Sequence, residues 1–119
     1  MADDDEQQRQ QLRKLLRVVT FLRTHDTELS LQTLGCFLLV ALEEGQSIKA
    51  IGEKLGLTQS SASRNVSVLT ERTWKRTVGL KVAEYRTDYV DITMKRIYLT
   101  PLGKRWAEML FNMLKGDNP

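Results

Sequence analysis

Gln59, Ser60, Ser61, Ser63, Arg64 and Ser67 bring short or forked polar side chains into one stretch that also carries Ala62, Val66 and Leu69 at helical spacing. On a helix over 59–70 the apolar three form the buried stripe, and the polar six are predicted to line the exposed face. The chemistry open to such a face is hydrogen bonding to nucleic acid. An arginine matches the two acceptors of guanine, a glutamine pairs with adenine, and serine hydroxyls are short enough to reach a phosphate or either base. A solvated polar helix face is the plainer alternative.

Other chemistries find little support. One His and one Cys cannot supply a structural zinc site or a disulfide framework. No His stands beside a nucleophile, no glycine-rich loop ends in Gly-Lys-Ser/Thr, and no motif places a carboxylate pair, so a non-enzyme without cofactor is expected. Cys36 lies in an apolar helix and reads as a buried, inert thiol. Trp74 and Trp106 read most simply as packing residues.

Charge points the same way as the polar face. The chain has 119 residues and a net charge of +3, but residues 47–96 hold ten basic groups against five acidic ones, an uneven distribution typical of a nucleic-acid contact surface. No apolar run approaches the roughly 18 residues that span a bilayer. The opening Met1-Ala2-Asp3-Asp4-Asp5-Glu6 is acidic where a secretory signal is basic and then apolar, so a cytoplasmic protein without membrane contact is expected.

The elements that must position the polar face follow from periodicity. Leu12, Leu15, Leu16, Val19 and Leu22 predict an amphipathic helix from about Gln7 to Thr24, and Ser30 caps a second helix that stops at Gly45. A third helix runs from about Ser47 to Leu55. The turn Gly56-Leu57-Thr58 then leads into the fourth, with Thr58 as its cap. Small residues, Gly52 and Ala62, stand where two crossing helices must approach closely. Alternation of Leu80 and Val82 with Lys81 and Ala83, and of Ile97 and Leu99 with Arg96 and Tyr98, predicts a hairpin over 80–99 whose polar tip includes Arg86. Lys81, Arg86, Lys95 and Arg96, with Thr58, are the candidate contacts to backbone phosphate or a minor groove. Thr100-Pro101 opens a last helix, ended by Gly116, with Leu102, Trp106, Met109, Leu110 and Met113 on one face.

Two short helices joined by a tight glycine turn and followed by a hairpin describe a winged helix-turn-helix, mostly α with a small antiparallel β-hairpin wing. Ser47-Ile48-Lys49-Ala50-Ile51-Gly52-Glu53-Lys54-Leu55-Gly56-Leu57-Thr58, leading into Gln59-Ser60-Ser61-Ala62-Ser63-Arg64, and Leu99-Thr100-Pro101-Leu102-Gly103-Lys104 after the wing, resemble the multiple-antibiotic-resistance (MarR) type of winged-helix transcriptional regulators. The resemblance covers roughly Leu29 to Leu110. It implies a homodimer that binds a palindromic operator and regulates transcription, often in response to a small-molecule effector. Two departures stand out: Thr93 replaces the arginine of the family's Asp-x-Arg wing motif, although Asp91 matches, and the segment Leu69 to Gly79 is about six residues longer than usual, forming a helix extension or its own turn.

The sequence is therefore expected to form one winged helix-turn-helix domain over 7–116, with a flexible acidic lead at 1–6 and a frayed tail at 117–119. Its terminal helices are expected to dimerise through Leu12, Leu15, Leu16, Val19, Trp106 and Leu110. The expected activity is sequence-specific binding of double-stranded DNA as a transcriptional repressor, with helix 59–70 in the major groove and the 80–99 hairpin on flanking backbone or minor groove. A winged-helix module that binds a transcription or replication protein is the alternative.

Overall fold

The computed structural model describes residues 2–116. In chain order they form α1 (Ala2–His25), α2 (Leu31–Leu42), β1 (Gln46–Ser47), α3 (Ile48–Leu55), α4 (Gln59–Leu69), β2 (Ala83–Thr87), β3 (Lys95–Leu99) and α5 (Pro101–Lys115). This is the expected winged helix-turn-helix. The tail at 117–119, predicted to fray, lies outside the described residues. The chain falls into two compact units, Ser30–Trp106 and the terminal segments 2–29 with 107–116.

In Ser30–Trp106 each short helix begins on a hydroxyl. Ser30, Ser47 and Thr58 hold extended backbones, and their side chains accept the N–H of Thr33, Ala50 and Ser61, each at 3.1 Å. The third helix closes at left-handed Gly56, with φ 69°. At the crossing of α3 and α4, a Cβ on Gly52 would lie 3.1 Å from the Ala62 Cβ and 3.2 Å from the Leu57 carbonyl oxygen. The small pair therefore sets how closely α4 approaches α3.

The sheet is antiparallel in the order β1-β3-β2. Gln46 and Ser47 pair with Ile97 and Arg96, and the wing register runs from Ala83 opposite Leu99 to Thr87 opposite Lys95. Three features differ from the hairpin read in the sequence. β1 adds a third strand, two residues being too short to leave a period. The first wing strand starts at Ala83, not Leu80, because Leu80, Lys81 and Val82 donate back to Val68, Thr70 and Leu69 at the end of α4, with Lys81 at φ 61°. Arg86 consequently sits within β2 and not at the tip.

Cys36, Phe37 and Val40 of α2, Ile51 of α3, Val66 and Leu69 of α4, and Val82 and Ile97 form the buried core of this unit. Burial of such side chains contributes about 1.5–3 kcal/mol each. Phe37 meets the Trp106 ring edge-on at 5.8 Å. Burial also pushes the Cys36 thiol up to about 11, so it is protonated at neutral pH. Buried Gln46 donates to the Leu39 and Glu43 carbonyls at 2.7 and 2.8 Å and accepts from Lys54 Nζ at 2.7 Å, which joins the end of α2 to α3. After the wing, the Thr100 hydroxyl donates to the Lys81 carbonyl at 2.7 Å and accepts the Gly103 N–H at 3.0 Å. A Cβ on Gly103 would collide with the Val82 carbonyl oxygen, which is the steric reason for glycine at the end of Leu99-Thr100-Pro101-Leu102-Gly103.

In the terminal unit α1 starts at Ala2, so Ala2–Glu6 extend the helix where a flexible lead is predicted. Asp3, Asp4 and Asp5 occupy its first turn, where the positive end of the helix dipole favours them. Leu22 is buried, whereas Leu12, Leu15, Leu16 and Val19 are exposed, as are Met109, Phe111 and Leu114 of α5. Trp106 and Leu110, expected on the dimer face, are only 3% and 6% exposed. Helical spacing marks an apolar face without saying which part the chain covers for itself. Among the described residues no helix is long and apolar enough to cross a membrane, and no group of three or more His, Cys, Asp and Glu could hold a metal ion.

Candidate nucleic-acid interface

The exposed side of α4 carries four of the six residues singled out on it. Gln59, Ser60, Ser63 and Arg64 are exposed, and Ser61 is half-buried next to the Thr58 cap. Ser67 is buried and does not belong to this face. Its hydroxyl donates to the Arg64 carbonyl at 2.7 Å and accepts the Trp74 N–H at 2.9 Å, tying the following loop to the helix. The periodicity of α4 could not show this, because the segment that bonds to Ser67 lies outside the helix, at Trp74.

Asn65 takes a position between the exposed and buried faces. Its side-chain oxygen accepts from the Thr33 hydroxyl at 2.8 Å, and its amide donates to Gln32 Oε1 at 3.2 Å and to the Ser61 carbonyl at 2.9 Å. It therefore docks α4 on α2. Sequence reasoning offers no account of this residue, since its partner lies on another helix.

The wing divides the four basic residues expected there. Lys81 stands at the base, beyond the Ala83 end of β2, whereas Lys95 pairs with Thr87 next to the tip. Arg86 makes a forked contact to Glu84 Oε2 at 3.1 and 2.8 Å and lies 4.2 Å from the Tyr98 ring centre. Arg96 donates to Asp88 at 2.9 Å and to the Gly45 carbonyl at 2.8 Å, across 51 positions of sequence. Arg86 and Arg96 thus bond within the wing, although Arg86 stays exposed, and Lys95, 5.5 Å from the Tyr85 ring centre, is an exposed cation next to the tip. The Asp88 carboxyl is held below its ordinary value by the Val90 N–H that it accepts and by Arg96.

At the tip, Asp91 accepts from the backbone and hydroxyl of Thr93 at 3.0 and 2.6 Å, closing the turn where the family motif has an arginine. Tyr89 and Val90 are almost fully exposed there, and Ile92 is largely so. An open cleft of about 360 Å³ joins the start of α3 (Ser47, Ile48, Lys49), Gln59 of α4 and the wing residues Asp91, Thr93, Met94 and Lys95. The fold thus brings Gln59 and Lys95 to one cleft and adds Lys49, which sequence reasoning passed over. The signal available for Lys49 was its place in the first turn of the helix that, in a helix-turn-helix, crosses the nucleic-acid backbone.

The comparisons with known proteins bear on this arrangement. At the level of sequence, no family model matches the chain and no curated protein does. Solved structures do. The MepR–DNA complex of Staphylococcus aureus aligns with a TM-score of 0.62 at 16% identity, over 96% of this chain and 80% of that one. The transcriptional regulator Tm0710 of Thermotoga maritima aligns at 0.64 and 14%, over 87% and 72%. A MarR-family transcriptional regulator of Silicibacter pomeroyi aligns at 0.56 and 21%, over 90% and 73%. The fold is therefore the winged helix of MarR-type regulators.

Proposed function

We propose that the protein is a sequence-specific, double-stranded DNA-binding transcriptional regulator that works as a homodimeric repressor. The observation that carries this reading is the shared cleft: the exposed start of α4 and the wing-tip lysine line the same opening. In this mode α4 enters the major groove, where Gln59, Ser60, Ser63 and Arg64 meet base edges. Thr58 with Lys49 and Lys95 takes phosphates. The likeness to a regulator solved with DNA supports the same docking.

Dimerisation is assigned to the terminal unit, where Leu12, Leu15, Leu16 and Val19 of α1 and Met109, Phe111 and Leu114 of α5 leave apolar side chains in water. A cytoplasmic, non-catalytic role accompanies this reading.

The test is selection of bound duplexes from a random pool near 150 mM salt, where non-specific binding is weak. Enrichment of an inverted repeat with half-sites about one helical turn apart supports a dimeric operator binder. Recovery without any motif overturns sequence specificity. One observation favours a second reading, a protein-interaction module: the exposed apolar tip of Tyr89, Val90 and Ile92. Such a module elutes early from heparin at physiological salt, whereas a DNA binder is retained.

A further inference from the structure

Trp74 is 51% exposed, so core packing does not explain a large indole at this position. It lies in the segment following α4, which forms a folded loop and not a helix extension. Thr73 N–H donates to the Thr77 carbonyl at 2.9 Å, Arg76 N–H to the Thr73 carbonyl at 2.9 Å, and Gly79 N–H to the Glu71 carbonyl at 3.0 Å. The Thr73 and Thr77 hydroxyls meet at 2.7 Å, and Arg72 and Val78 form an antiparallel bridge. Ser67 then fastens this loop to the reading helix, since one hydroxyl bonds both the Trp74 N–H and the Arg64 carbonyl.

The indole is held against two cations. The Arg64 guanidinium carbon lies 5.1 Å from its ring centre and Lys75 Nζ lies 5.2 Å away, both within the range of cation–π attraction. Among the described residues no carboxylate forms an ion pair with Arg64. A guanidinium held by a ring face spends none of its N–H donors on that contact and keeps them for another partner, and a side chain ordered before binding loses less rotamer freedom on contact.

We propose that Trp74 is a positioning residue for Arg64: its indole face sets the guanidinium on the exposed side of α4 and so determines the base that this arginine selects. The proposal rests on the DNA-reading role of α4 proposed above. It assigns the loop over 71–79 to the interface, with Lys75 placed beside Arg64 to meet the adjoining phosphate.

The experiment compares duplex selections for the wild type, Arg64→Ala, Trp74→Leu, Trp74→Phe and Lys75→Ala. Leucine keeps apolar bulk but removes the π face, whereas phenylalanine keeps a face. Trp74→Leu is expected to lose base preference about ten- to hundredfold at the same position as Arg64→Ala. Trp74→Phe restores most of it, and the double variant Arg64→Ala/Trp74→Leu loses nothing further there. Lys75→Ala keeps the preferred bases and lowers the salt slope by about one.

A motif retained unchanged by Trp74→Leu, or an equal loss over all sequences, overturns the assignment of Trp74 while leaving the DNA-reading role intact. A wild type that enriches no motif removes that role, and Trp74 with it. If Trp74→Leu does not fold by circular dichroism, the indole N–H resonance of Trp74 in the wild type decides. It shifts with the preferred duplex and not with one altered at the Arg64 base, or the proposal fails.

Discussion

The Thr33 hydroxyl donates to the Asn65 side-chain oxygen at 2.8 Å, across 32 positions of sequence, and Thr33 is buried. With the Asn65 amide bond to Gln32 Oε1, this bond docks the start of α2 on the middle of α4. A buried hydroxyl without its acceptor carries a desolvation cost, so the bond matters more for what its loss leaves behind than for its net strength. Asn65→Leu is expected to destabilise the fold by about 1–3 kcal/mol in urea unfolding. Adding Thr33→Val recovers most of that loss, and a double variant no more stable than Asn65→Leu contradicts the coupling.

Arg64 and Lys95 differ in what they are expected to touch, a base edge and a phosphate. Arg64→Ala costs about 1–3 kcal/mol and relaxes specificity at one position, while Lys95→Ala weakens all sequences alike and lowers the salt slope by about one. Fluorescence anisotropy over a salt series with preferred and scrambled duplexes separates the two. Equal, sequence-independent losses from both variants sink the placement of α4 in the major groove.

Leu16 is exposed on α1, whereas Trp106 is buried within the chain. Leu16→Asp is therefore expected to shift the protein to monomers at micromolar concentration without loss of helix content, read by light scattering and circular dichroism. Trp106→Ala should instead lower stability by about 3–5 kcal/mol through the cavity it leaves. A wild type that is already monomeric at that concentration removes the dimer assignment.

The wing is expected to loosen in acid. Asp88 has a folded-state value below its ordinary one of about 3.9 because it accepts from Val90 and Arg96, so its contribution is fully present above that ordinary value. It is lost as pH falls through the lowered folded value. Carboxyl NMR of Asp88 should show its titration, and the Arg96 side-chain signals should follow it as the bond between them is lost. In Arg96→Gln the Asp88 value rises toward the ordinary one, and no change would disprove the link.

Cys36 should be silent toward thiol reagents at neutral pH, since burial pushes the thiol up to about 11 and leaves it protonated. Modification is expected only as fast as the core opens. Rapid labelling of folded protein by Ellman's reagent is the contrary outcome.

Much of the architecture is local and was legible residue by residue. The hydroxyl caps Ser30, Ser47 and Thr58 act on N–H groups three residues ahead, and Gly56 ends α3 through its own backbone. The small pair Gly52 and Ala62 lies within one helix-turn-helix, so its spacing alone foretold a close crossing. The exposure of Gln59, Ser60, Ser63 and Arg64 on α4 followed from the same helical period. What the tertiary structure decided depends on partners far along the chain. Arg96 is drawn from its predicted phosphate to the Gly45 carbonyl, and Asn65 is explained only by α2. Ser67 is buried by the loop that bonds to it, and Trp106 by packing that includes Phe37. Periodicity reports which face of an element avoids water. Which polar groups remain free for a ligand depends on which distant donors and acceptors the fold brings within hydrogen-bond reach.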